Sequence, residues 1–167
     1  MRARILRPIV AAMILMALAV PAVSARPPTS GPPTSEFDWT AGDTCAFAVR
    51  SEDWSNLRER TRGSVTIYTG PATSRLTNLD HPDQPSVTVR TGGMARIESL
   101  TDGTRRITAK GTTLFYFFPG DVTPDGGDDG GWYLIHGLVR ETLSADNFIT
   151  SLSIQGSYRD LCAEIAG

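Results

Sequence analysis

From Phe37 onward, apolar and polar residues alternate with a period of two, interrupted about every eight to twelve residues by glycine, proline, asparagine or aspartate. Cys45, Phe47 and Val49 fall on one face. Val65 and Ile67 share a face opposite Ser64, Thr66 and Tyr68, Val87 and Val89 alternate with Thr88 and Arg90, and Phe148, Leu152 and Ile154 mark a late strand. Each such segment buries one side and wets the other, as a strand of an antiparallel sheet does. About eight to ten short strands fit the domain, which predicts an all-β fold, a small antiparallel barrel or a sandwich.

The turn residues agree with this pattern. Thr101-Asp102-Gly103-Thr104 has Asp-Gly at its centre and predicts a hairpin from a strand ending near Leu100 to Arg105-Arg106-Ile107. Asp80 to Pro85 is too rich in proline for a strand and predicts a longer connection, and Gly92-Gly93 breaks the run after Thr91. Two segments depart from simple alternation. Ser51 to Arg62 spaces Trp54 and Leu57 three apart among many charges, which fits a short helix, a loop or a polar edge strand. Leu114-Phe115-Tyr116-Phe117-Phe118 is apolar on both faces and predicts a central strand covered on each side.

The residues before Phe37 follow another logic. Arg2, Arg4 and Arg7 precede an uncharged apolar run from Ile9 to Val20, then Pro21 and the small residues Ala22 to Ala25. That is the order of a secretory signal peptide over residues 1–25. The run is shorter than the roughly 20 residues a membrane-spanning helix needs, and nothing after it is longer, so no transmembrane segment is expected once the leader is removed. Residues 26–36 repeat Pro-Pro-Thr-Ser and read as an extended linker, leaving 37–167 as the β domain. The expected location is secreted and extracellular.

Composition narrows the partners. The leader carries three arginines and no acid, so its removal takes the 16 basic residues to 13 against 18 acidic, and the net charge from −2 to −5. An acidic domain argues against nucleic acid as a partner. Two cysteines, Cys45 and Cys162, near the two ends of an exported domain suggest a disulfide; two free thiols or a metal pair are the alternatives, the latter opposed by the lack of clustered spacing.

Candidate chemistry is sparse. Asp121, Asp125, Asp128 and Asp129 lie on a glycine-rich stretch whose carboxylates suit calcium, although the spacing matches neither an EF-hand loop nor a calcium repeat. Phe115, Phe117, Trp132, Tyr133 and His136 are candidates to line an apolar ligand site, with His136 on the same face as Trp132 and Leu134. Neither histidine neighbours a nucleophile, and no hydrolase or cofactor motif occurs, so no catalytic residue is assigned and no cofactor is expected.

The stretch Phe37-Asp-Trp-Thr-Ala-Gly42-Asp-Thr-Cys45-Ala-Phe47-Ala-Val49 resembles the opening of an uncharacterised family of exported two-cysteine β proteins from high-GC Gram-positive bacteria. Leu76-Thr-Asn78-Leu, Ser86 to Gly92 and the closing Gly156-Ser-Tyr-Arg-Asp160-Leu-Cys162-Ala carry the likeness across the domain, while Asp80 to Pro85 replaces the family's Thr-Gly-Lys turn. The resemblance implies a compact bacterial β-barrel with its first and last strands tied together, and implies no reaction. The sequence thus leads to a secreted, non-catalytic β-barrel protein that binds a small apolar ligand. The alternatives are a cell-envelope or protein interaction module and, behind it, a hydrolase with a non-standard site.

Overall fold

The structure, a computed structural model, describes residues 32–166 and the backbone of Leu15–Ala17; the rest of the expected leader and linker residues 26–31 lie outside the described residues. The strands are β1 (Leu15–Ala17), β2 (Ser35–Trp39), β3 (Val49–Ser55), β4 (Arg58–Arg62), β5 (Val65–Thr69), β6 (Ala72–Asn78), β7 (Val87–Ser99), β8 (Arg105–Phe117), β9 (Gly131–Leu143) and β10 (Ile149–Asp160), followed by the one-turn helix α1 (Leu161–Ile165). Nine strands belong to the domain, the first starting at Ser35, two residues before the boundary read from the alternation. Every pairing is antiparallel, and the sheet runs β10-β9-β8-β1-β7-β6-β3-β2. It is not closed into a barrel.

β7 is the branching strand. Its first half pairs Val87–Thr91 with β6, and its second half pairs Met94–Glu98 with β5 and Gly92–Ser99 with β8. The change of partner comes at Gly92-Gly93, but the strand does not break there as the sequence suggested; β7 runs on through both glycines, which pair with Thr112 and Gly111. Gly93, Gly111, Gly137 and Gly156 stand opposite one another on β7, β8, β9 and β10, a row of glycines crossing four strands at one level. Gly111, Gly137 and Gly156 have φ of 124°, 139° and 152°, values that a residue with a Cβ rarely adopts. A Cβ at Gly137 would run into the carbonyl of Gln155, and one at Gly156 into that of His136. Glycine inside a strand marks a bend or a close backbone approach, and here four strands share it.

Two hydrophobic cores lie on opposite faces of β8 and β9. The first gathers the odd-numbered side chains, among them Ile107, Phe115, Phe117, Tyr133, Ile135 and Val139, with Ala95 and Ile149. The second gathers Leu114 and Trp132 with Trp39, Val49, Leu76 and Val89 of the overlying strands, and Leu161 and Ile165 of α1. On β8 and β9 the even-numbered face is exposed at Arg106, Lys110 and Arg140 on one side of the glycines and buried at Leu114 and Trp132 on the other, where His136, next to Gly137, is still exposed. Leu114 to Phe117 is covered on both sides, as its unbroken apolar run predicts.

Cys45 and Cys162 form a disulfide with Cα atoms 5.6 Å apart, within the span such a bridge requires. It joins the loop after β2 to α1, so the ends are tied just beyond the terminal strands. Cys45 and Phe47 lie in that loop, and the strand begins only at Val49. Ser51 to Arg62 divides between two strands: Ser51–Ser55 belong to β3, which lies between β2 and β6, and the polar edge-strand reading holds for β4, which among the described residues pairs with β5 alone and is exposed throughout. The neighbouring β3 is fixed by cross-strand ion pairs, Arg50 to Asp38 at 2.7 Å and Arg75 to Glu52 at 2.5 Å, rather than by helical contacts. The Asp102-Gly103 hairpin forms as expected, with Leu100 N–H donating to the Thr104 carbonyl at 2.8 Å and Gly103 at φ 85°. Among the described residues no helix is long and apolar enough to cross a membrane.

Candidate functional site

Strand alternation decides which of the candidate ligand residues can meet. Phe115, Phe117 and Tyr133 point into the first core, where the Phe117 and Tyr133 rings cross edge to face with centroids 5.4 Å apart. Trp132 points into the second, where it lies 5.6 Å from Trp39 and 5.3 Å from Tyr116 and donates its indole N–H to the Thr44 hydroxyl at 2.9 Å. All four are at most 5% exposed, so they pack against the protein itself and on two separate faces. His136 is on the same face of β9 as Trp132 but next to Gly137 at the bend, exposed, with Nδ1 2.9 Å from the Thr112 hydroxyl.

The acidic loop folds against the first core. Asp121 is buried and accepts from the Phe118 N–H at 2.7 Å and the Ile149 N–H at 2.8 Å, while Val122 N–H donates to the Ile149 carbonyl. Its carboxylate thereby clamps the loop to the start of β10. Asp125 accepts from the Thr123 hydroxyl, the Gly127 N–H and the Tyr133 hydroxyl, which together hold its carboxyl below the usual carboxylate range. Burial, and then that bond to Asp125, push the Tyr133 phenol up. Asp128 and Asp129 are exposed. Among the described residues, no three His, Cys, Asp or Glu side chains are placed to share a metal ion.

Among the described residues, two buried side chains that no motif marks carry a polar atom without a hydrogen-bond partner. Glu141 sits between Val139 and Leu143 on the face toward the first core, 5% exposed, and one carboxylate oxygen has no hydrogen-bond partner. Burial, reinforced by the charge of Asp121 against that of Arg105, pushes its carboxyl up to about 8. Thr91 points toward the second core, 2% exposed, and its hydroxyl likewise has no partner. The alternation of Val139, Glu141 and Leu143 carried the signal for Glu141. Thr91 shares a parity with Val87 and Val89.

The remaining feature is β10. Among the described residues it pairs with β9 alone, and Asp121 and Val122 engage its outer edge only at Ile149. Eight of its twelve residues are exposed, and between Thr150 and Asp160 only Arg159 is basic and no proline occurs. Sheets usually guard such an edge with charge, proline or a bulge. The one irregularity in register, between Ile149 and Ser151, lies at the clamped end.

Comparisons with protein-family models, curated proteins and solved structures give no match. The functional reading therefore comes from the geometry of the chain itself.

Proposed function

We propose that this chain is an exported, non-catalytic interaction module, bacterial in origin, that binds a protein or cell-envelope partner along the outer edge of β10. The observation that carries this reading is the length of that edge, a twelve-residue strand that among the described residues pairs on one side alone, set beside two cores filled by the chain's own aromatic side chains. A backbone edge recruits an extended segment through main-chain hydrogen bonds, with alternate side chains supplying selectivity. The signal-like leader, the disulfide and the Pro-Thr-Ser linker support display outside the cell, since such bridges persist in oxidising compartments and such linkers act as spacers.

The test is photocrosslinking of the secreted chain to the surface of its producing cells, with p-benzoylphenylalanine at Ser153 on β10 or at Lys110 on β8. Adducts from Ser153 and none from Lys110 are expected. Equal labelling from both positions, or none from Ser153, would overturn the reading.

A further inference from the structure

The second core is walled by β9, β8, β1, β7, β6, β3 and β2, and one stave of that wall comes from the expected leader. Beyond Gly92 and Thr112, β7 and β8 stop pairing: Val87–Thr91 turns to β6 while Thr112–Phe117 continues along β9. β1 enters the wedge between them. Its backbone pairs Leu15 with Leu114, Met16 with Thr113 and Ala17 with Thr112, and Ala17 also stands opposite Gly92 at the narrow end. Both sides of the wedge thus offer backbone edges, and Leu114 and Val89 of the core lie behind them. Thr91, next to Gly92, carries the buried hydroxyl without a partner.

We infer that the wedge between β7 and β8 is a strand-accepting site, filled by the leader in the precursor and, after leader removal, by an extended apolar peptide segment of a partner protein. The inference rests on the leader being cleaved, and it concerns a different place from the β10 edge. The occupant's chemistry follows from the segment seated there: Leu-Met-Ala is uncharged, has no proline to interrupt a ladder, and puts alanine where the two strands converge. Removing such a stave leaves unpaired N–H and C=O groups beside apolar side chains, a cost that an added strand offsets through hydrogen bonds on both of its edges. Antiparallel entry on each side fixes the direction of the incoming chain.

The experiment uses the full chain with a protease site inserted between Ser30 and Gly31, cut after folding and disulfide formation. Amide hydrogen exchange is followed for Val87–Thr91 and Thr112–Leu114 in the intact chain, after cutting and removal of the leader, and after adding a synthetic peptide of residues 9–20. Loss of the leader should speed exchange in both segments at least about tenfold, and the peptide should restore the slow rate. The same peptide with Met16→Pro should not restore it. Slow exchange that persists without the leader, or fast exchange that the peptide leaves unchanged, would overturn the inference. The amides of β10 serve as the internal reference: they should not respond to the peptide, so failure here is separable from failure of the edge reading.

Discussion

Glu141 is where a single residue sets a property of the whole. A carboxyl that keeps its proton up to about pH 8 in the fold, against 4.5 when unperturbed, gives the folded state the greater proton occupancy between those values. Stability must then fall as pH rises from about 4.5 through about 8 and level off beyond, by an amount on the order of a few kcal/mol across the window. Glutamine has the shape of the protonated acid and no charge to shed. Glu141→Gln should therefore flatten this part of the profile, and urea midpoints compared at pH 5 and pH 8 should show the variant gaining on the wild type only at the higher pH. An unchanged slope would show that Glu141 ionises freely in the fold. Asp121, by contrast, has both carboxylate oxygens engaged by backbone N–H groups and acts as a brace for β10. The sequence marked Asp121 as a candidate for calcium because a carboxylate on a glycine-rich loop is all that sequence can show; which way it faces is set by the loop folding back over Ile149.

At the level of elements, the glycine row makes the sharpest demand. Gly137→Ala combines a disfavoured φ with a clash against the Gln155 carbonyl and should destabilise the protein by about 2–4 kcal/mol. Gly120→Ala, at φ 91° with open space around it, carries only the conformational cost of about 1 kcal/mol. Thermal unfolding of the two variants side by side reads the difference, and equal losses would mean that the sheet relaxes at the bend. Local pattern made the strands legible: alternation found β5, β7 and β10, Asp102-Gly103 found the hairpin, and the apolar run of Leu114 to Phe117 found the doubly covered strand. What stayed hidden depends on register, which links residues far apart in sequence. Gly93, Gly111, Gly137 and Gly156 are scattered in the chain and become one feature only when four strands align. For the same reason His136 shares a face with Trp132 yet lies exposed beside Gly137 at the bend. Charged β4 gave no periodic signal because an edge strand with both faces in water has no apolar side to reveal it.

For the molecule as a whole, the Cys45–Cys162 bridge closes a span of 117 residues. On the chain-entropy account a loop of this size contributes about 4–5 kcal/mol by restricting the unfolded ensemble. Replacing both cysteines by alanine should lower the free energy of unfolding by a comparable amount while leaving the circular-dichroism signature of the sheet in place under native conditions, because both cores are built from other residues as well. A loss below about 1 kcal/mol would show that the unfolded chain is already compact without the bridge. The position of that bridge also bears on biosynthesis. Because synthesis runs from the N-terminus, Cys45 is made well before Cys162, 117 positions later, so the first thiol has no partner within the domain until β3 to β10 have all been made; the covalent lock closes late.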